Sequence, residues 1–245
     1  MTSPSVHSPI LASILKAVST ATKHILRDFR EIDLLQNSKA GTLNFASKTV
    51  SRIEQLLVQE LNKARSDAAI LGVDKTYISS DSNSRFFIIP LDSFNNFMHA
   101  IPFFATGIVY EKKNLQGEFE AQSIVIDVPI QREIYIAEKG NGAWREAFAE
   151  ANADNSRLRV SQRKIPEEIL VCSSSEIKSN DGFIYNKFTT GSVLIDLAYF
   201  ASGRFDLFTS NNKYLEKFSL IGTEAGGMIK GNENNTLYLT NVSLI

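Results

Sequence analysis

The chain has 245 residues, of which 43% are hydrophobic and 22% charged, and its net charge at pH 7 is −1. This composition is typical of an ordinary globular protein. The lysines and arginines are scattered, which argues against a broad basic surface that binds nucleic acid or membranes. A local basic patch is not excluded. The single cysteine excludes an internal disulfide framework, and no apolar run reaches transmembrane length. We therefore expect a cytoplasmic protein without a membrane partner.

The first third of the chain predicts two amphipathic helices. Ser8-Pro9 is typical of a helix start, with a hydroxyl cap followed by proline in the first turn. Apolar residues then recur at helical spacing between residues 10 and 29, and a second stripe runs from about residue 47 to residue 61.

The middle of the chain predicts strands, and the last part predicts mixed structure. Runs rich in β-branched and aromatic residues cover 86–89, 103–110, 123–128 and 133–137. Pro90 is expected to end the first run, because proline cannot extend a central strand. The glycines of EKGNGAW predict a tight turn. Residues 191–202 predict a helix, and a last helix is expected to end near Gly226-Gly227. Helices, then mostly antiparallel strands, then mixed elements favour a layered α/β sandwich.

The segment PLDSFNNFMHAIPF, residues 90–103, resembles the signature of the inositol monophosphatase family. Segments GSVLIDLAYFASGRFDLF (191–208), TEAGG (223–227) and NFASKTVSRIE (44–54) resemble further blocks of that family in the same order. Within that family, the chain resembles the bacterial extragenic-suppressor branch most. The resemblance implies one chain folded as an αβαβα sandwich, with an N-terminal α+β half at 1–150 and a C-terminal α/β half at 151–245.

The resemblance also implies a reaction for which this chain lacks most of the family's side chains. The family hydrolyses phosphate monoesters with Mg²⁺-activated water, and Mg²⁺ needs several oxygen ligands in near-octahedral geometry. Of the family's metal ligands, Asp92 alone is retained. The other metal-ligand positions carry Val73, Ile89 and Tyr214, the two water-positioning ones carry Val50 and Phe94, and a substrate-contacting one carries Ser210.

The role of Asp92 has two readings. It is either a residual, weak metal ligand or the cap of the helix that follows it, and capping is the commoner use of an aspartate at a helix start. Substitution of the lost ligands by Asp74 or Asp81 stays open. The backbone amides of Ser93 and Phe94 open that helix and are a candidate site for an anion such as phosphate.

Three functions follow from these residues and the resemblance. The leading one is an inactive or very weak family member that acts by binding, with RNA polymerase or a transcription factor as partner and a homodimer as assembly. The second is an Mg²⁺-dependent phosphomonoesterase that acts on inositol monophosphates or similar esters. The third is a sensor that binds a sugar phosphate in the family's pocket without chemistry. Whether the chain is an enzyme is left open, and no cofactor is expected, except Mg²⁺ if the residual site works.

Overall fold

The structure is a computed structural model that describes residues 7–38, 41–148, 153–173, 182, 184–230 and 236–244. Within these ranges, no helix combines the length and apolarity that crossing a bilayer requires. The helices are α1 (Pro9–Leu34), α2 (Leu43–Ala64), α3 (Phe94–Met98), α4 (Val193–Ala201), α5 (Leu215–Phe218) and α6 (Leu220–Glu224). The strands are β1 (Ala69–Leu71), β2 (Thr76–Ile78), β3 (Ser84–Asp92), β4 (Ala105–Lys113), β5 (Phe119–Val128), β6 (Glu133–Glu138), β7 (Gly142–Phe148), β8 (Ala153–Arg157), β9 (Leu170–Cys172), β10 (Asn186–Lys187), β11 (Leu207–Ser210), β12 (Met228–Ile229) and β13 (Leu237–Thr240).

The two N-terminal helices form as predicted, with one boundary corrected. The Ser8 hydroxyl caps α1 by accepting a hydrogen bond from the Leu11 N–H at 3.3 Å, and Pro9 follows it. Helix α2 begins at Leu43, four residues before the predicted start at Ser47. Leu43 and Asn44 are exposed, so the buried face of α2 begins only at Phe45 and Ala46.

A large sheet forms the centre of the molecule, with strand order β2-β1-β3-β4-β5-β6-β7-β8. Side chains along β3 alternate between its two faces. Phe86 and Ile88 pack against α1 and α2, whereas Phe87 and Ile89 pack against α4, α5 and α6. Tight turns at Gly140 and Gly142, both with positive φ, join β6 to β7 as the sequence predicts.

The prediction that Pro90 ends its strand is wrong, because β3 continues through it to Asp92. The reason is local. The pairing of β3 with β4 is regular up to Ile89, shifts, and resumes where Asp92 pairs with Ala105. On the other side, β1 pairs only with residues 85–87 of β3. Pro90 therefore lies at an irregularity where no ladder hydrogen bond needs its missing N–H, and its carbonyl accepts from Thr106 Oγ1 at 2.9 Å.

A second sheet, with strand order β10-β9-β11-β13-β12, covers the far side of α4 and α6. The layers run helix, sheet, helix, sheet, which are the first four of the predicted αβαβα order, and the layered sandwich is confirmed. The predicted division at residue 150 falls outside the described residues. Strand β8 lies beyond that point and still belongs to the first sheet.

Candidate functional site

Asp92 lies at the end of β3 and is buried against the N-terminus of α4. Its Oδ2 accepts a hydrogen bond from the Ser192 hydroxyl at 2.6 Å and another from the Leu194 N–H at 2.9 Å. Burial raises the pKa of Asp92 to about 6, and nearby Asp196 adds to the rise, although hydrogen bonds from Ser192, Leu194 and the Ser93 backbone oppose it. The Asp92 carboxylate therefore acts as a hydrogen-bond acceptor for the N-terminus of α4.

The prediction that Asp92 caps the helix that follows it is wrong. The residue at that cap position is Ser93, which makes no capping side-chain hydrogen bond to α3. The irregularity at Pro90 explains the difference. The pairing with β4 shifts there by one residue, which reverses the alternation of β3, so Leu91 faces α1 and α2 whereas Asp92 points to α4. Ser192, which caps α4, accepts from the Ile195 N–H at 3.3 Å while it donates to Asp92.

The proposed anion site at Ser93 and Phe94 stays a prediction. Ser93 has φ 63° and ψ 62°, a left-handed conformation that costs energy for a residue other than glycine. Helix α3 has five residues, and the Phe94 side chain packs partly buried against the α1–α2 core. The turn is thus held by packing on one side and by the Asp92 contacts on the other.

Two of the replaced family positions lie in the same region as Asp92, and both are apolar or neutral. Ile89 is 4% exposed and packs in the core with α4 to α6. The Tyr214 ring lies at the edge of that core, 6.4 Å from the Phe87 ring, and its hydroxyl accepts from Asn212 Nδ2 at 2.9 Å. Burial, and next the charge of Asp92, raise the pKa of Tyr214 far above its ordinary value, so the phenol stays neutral.

The remaining family positions do not add a ligand. Val73 is 49% exposed in the turn between β1 and β2, next to exposed Asp74. Val50 is half-buried on α2. Ser210 ends β11, and its hydroxyl accepts from the Asn212 N–H at 3.3 Å.

A further sequence candidate also lies away from Asp92. Asp81 is exposed and lines a separate open cleft of about 630 Å³, together with Arg65 and Lys112. Lys39, a family lysine position, lies outside the described residues.

These residues do not fit a Mg²⁺ site. In the part of the chain that the structure describes, no three His, Cys, Asp or Glu side chains converge as a metal site would require. Mg²⁺ prefers near-octahedral oxygen ligation, in which carboxylates supply the charge. The Asp92 carboxylate already accepts two hydrogen bonds and has Ile89 and Tyr214 as neighbours at the other ligand positions.

Sequence reasoning missed the polar network that holds α4 in place. Asp196 accepts hydrogen bonds from the Thr189 hydroxyl at 2.6 Å and from the N–H and hydroxyl of Thr190 at 2.9 and 2.8 Å. The threonine pair directly before Gly191-Ser192 was the available signal, since hydroxyl side chains cluster at helix starts. The network fixes the loop that presents Ser192 to Asp92.

Comparisons with known proteins identify relatives of this chain over most of its length. The model of the inositol monophosphatase family matches residues 7–244. A protein from Rhizobium meliloti (strain 1021) named inositol-1-monophosphatase is 32% identical over 215 residues, which cover 82% of this chain and 76% of that protein. A protein from Pseudomonas aeruginosa named Nus factor SuhB is 28% identical, with 90% of this chain and 84% of that protein covered. Among solved structures, the extragenic suppressor protein SuhB from Bartonella henselae has a TM-score of 0.76 at 26% identity, with 96% and 95% covered.

Proposed function

The chain belongs to the inositol monophosphatase family, and we propose that it is a member without metal-dependent phosphatase activity that acts by binding. The observation that carries the proposal is the state of Asp92. Its carboxylate is engaged by Ser192 and Leu194, while Ile89 and Tyr214 stand where the family resemblance places further acids. Phosphoryl transfer depends mainly on electrostatic stabilisation of the transferring group, and each lost contribution costs a few kcal/mol.

The proposed partner is a component of the transcription machinery. Relatives from Pseudomonas aeruginosa and Escherichia coli are named Nus factors, at 28% and 24% identity, and each aligns over 90% of this chain. A binding role needs the fold and its surface but not the metal ligands, so it is compatible with the replacements. The test is direct binding of the purified chain to RNA polymerase of the same organism on a biosensor surface. Absence of binding to the polymerase, alone and with its Nus factors, contradicts the partner and leaves the catalytic proposal standing.

A homodimer is the proposed assembly. Asn96 Nδ2 donates to the carbonyls of Phe103 and Thr190, at 2.7 and 3.0 Å, and so joins the segment after α3 to the segment before α4. Exposed apolar side chains flank these segments, with Ile101 43% and Phe188 50% exposed. Exposed apolar surface of this kind supports an interface. Light scattering behind a sizing column measures the mass, and a monomer at micromolar concentration contradicts the proposal.

A second candidate function is Mg²⁺-dependent hydrolysis of small phosphate esters. It is favoured by the relative named inositol-1-monophosphatase at 32% identity. It requires carboxylates from outside the described ranges to complete a site around Asp92.

Phosphate release from inositol 1-phosphate under saturating Mg²⁺ separates the two candidates. We expect a rate far below the ~10 s⁻¹ of an ordinary enzyme. The matched control is Asp92→Asn, because a trace rate that this variant retains does not depend on the Asp92 carboxylate. A wild-type rate within about tenfold of the ordinary value, lost in Asp92→Asn, establishes the phosphatase instead.

A further inference from the structure

A positively charged cleft lies at the opposite end of α4 from Asp92. Nine helical residues at 1.5 Å each separate the two ends by about 14 Å. The cleft has a volume of about 240 Å³ and opens at the edge of the first sheet, where β8 is the last strand. We call it the arginine cleft, since its described lining includes Arg145, Arg157, Arg159, Arg204, Ser156 and Ser202, and no described acid.

Two of these arginines are held in fixed positions by one carboxylate. Glu133 accepts from Arg145 at 3.2 Å and from Arg204 at 3.1 and 3.4 Å, and Arg204 also contacts the Tyr135 hydroxyl at 3.0 Å. The Arg204 guanidinium lies over the Tyr199 ring, 4.3 Å from its centre. Burial alone would raise the pKa of Glu133, but the hydrogen bonds from Tyr135 and Arg204 outweigh it and hold that pKa below its ordinary value. Glu133 therefore stays charged and keeps both arginines in place.

The other two arginines, Arg157 and Arg159, carry charges that no described acid neutralises. Arg157 lies over the Trp144 ring, 5.7 Å from its centre, and neither Arg157 nor Arg159 pairs with a described carboxylate. Both residues are exposed. The negative end of α4 is close by, but a helix end carries only about half a charge and does not balance them. Their two positive charges match the charge of a phosphate group, which is about −2 at neutral pH.

We propose that the arginine cleft binds a phosphate group. A guanidinium fork matches phosphate oxygens in bidentate fashion, and several forks can contact one phosphate from different sides. The cleft is smaller than the ~300–1,000 Å³ of pockets that enclose a whole small molecule. It therefore fits one phosphate, free or carried by a nucleic-acid strand whose remainder extends past the sheet edge. This inference does not depend on the state of the Asp92 site.

The test compares a charge reversal in the cleft with the same change elsewhere. Arg159→Glu removes an exposed cleft charge without breaking an ion pair to a described residue, and Arg30→Glu makes the same change at an exposed position of α1. One arm titrates inorganic phosphate calorimetrically at low ionic strength. The other follows a labelled 12-nucleotide single-stranded RNA by fluorescence anisotropy, with phosphate as competitor.

We expect Arg159→Glu to weaken binding at least tenfold and Arg30→Glu to change it less than twofold, with circular dichroism confirming that both variants fold. Binding of phosphate alone assigns a small phosphate ligand, whereas RNA binding that phosphate competes away assigns a nucleic-acid strand. Equal losses in both variants mean diffuse attraction and overturn the proposal. So does absence of binding in both arms.

Discussion

The two ends of α4 each meet a buried aspartate, but the two carboxylates have different kinds of partner. At the N-terminal end, the described donors to Asp92 are neutral, the Ser192 hydroxyl and the Leu194 N–H. Beyond the C-terminal end, Asp206 accepts from the Arg163 guanidinium at 2.8 Å and from the Leu170 N–H at 2.8 Å. Arg163 also donates to the Gly203 carbonyl at 2.7 Å and so ties Asp206 to the segment that follows α4.

The difference shows which end is built for stability. A buried carboxylate is tolerated when a cation and hydrogen bonds compensate it, and removal of one partner is then costly. Without a cation, burial shifts the equilibrium toward the protonated acid, as the raised pKa of Asp92 indicates. The Asp206 end is therefore a structural ion pair, whereas no described cation compensates the Asp92 carboxylate.

A second carboxylate beside Asp92 should have the largest effect. Ile89→Asp removes a buried aliphatic side chain and adds an acid without a cation, so we expect a loss of about 4–5 kcal/mol in the free energy of unfolding. Val73→Glu is the control, because Val73 is exposed and should tolerate charge within ~0.5 kcal/mol. Urea denaturation measures both, and a mild effect of Ile89→Asp would mean that the region already holds a compensating cation.

Restoring the whole ligand set should reverse that penalty when Mg²⁺ is present. The fivefold variant is Val50→Asp, Val73→Glu, Ile89→Asp, Phe94→Thr and Tyr214→Asp. We expect each single change to do harm or nothing and the combination to bind Mg²⁺, because the metal neutralises the acids together and the effects are not additive. Calorimetric titration of the singles and the combination is the measurement. A folded fivefold variant that binds no Mg²⁺ would show that the family positions are misassigned, with exposed Val73 the first suspect.

Removal of the Asp206 carboxylate should lower the free energy of unfolding nearly as much as Ile89→Asp does. Asp206→Ala leaves the Leu170 N–H and the Ser161 hydroxyl without their acceptor and breaks the pair with Arg163. We expect a loss of about 3 kcal/mol in unfolding free energy, measured by urea denaturation. Asp33→Ala, on the exposed face of α1, is the matched control and should change stability by less than ~0.5 kcal/mol. A comparable loss in both would remove the distinction between the two ends of α4.

Asp127 tests, through pH, the rule that burial without a neighbouring cation raises the pKa of an acid. It is buried under α1 beside the Thr22 hydroxyl, and burial raises its pKa to about 7. Because the folded pKa lies above the unfolded value, the contribution of Asp127 to stability is full below about pH 4 and is lost as pH rises through 7.

Asp127→Asn should therefore stabilise the fold by on the order of 2 kcal/mol at pH 8 and by little at pH 4. Thr22 also contacts the Val18 carbonyl at 2.9 Å, so an amide at position 127 can donate to Thr22 while Thr22 donates to Val18. Thermal denaturation from pH 4 to pH 8 tests the prediction, with exposed Asp33→Asn as control. A gain that does not grow with pH would refute it.

The smallest expected effect is that of Asp92→Asn. The amide oxygen can accept the same bonds from Ser192 and Leu194, so we expect a change within about 1 kcal/mol. Millimolar Mg²⁺ should leave the melting temperature of both wild type and variant unchanged, since only a ligand that binds the folded state raises it. A clear Mg²⁺ shift in wild type that the variant lacks would mean that Asp92 belongs to a working metal site.

Several features of the fold and the candidate site were readable from the sequence because they are local. The cap at Ser8, the glycine turn before β7 and the apolar run in β3 depend on neighbours within a few residues, and all three form. The continuation of β3 through Pro90 was not readable, because it depends on which bonds the flanking strands require. The start of α2 was missed because its first two residues, Leu43 and Asn44, are exposed and add nothing to the apolar pattern.

What the sequence determined by itself is the chemistry available at each position. Val73, Ile89 and Tyr214 carry no carboxylate in any fold, so the resemblance and the residue types alone predict the shortage of ligands. Only the tertiary structure decided how the remaining groups are used. Asp92 meets a serine 100 residues further along the chain. The arginine cleft gathers side chains from β7, β8 and the segment after α4. Such contacts depend on how sheets and helices pack, and that packing is a collective result of the whole core rather than of any short stretch of sequence.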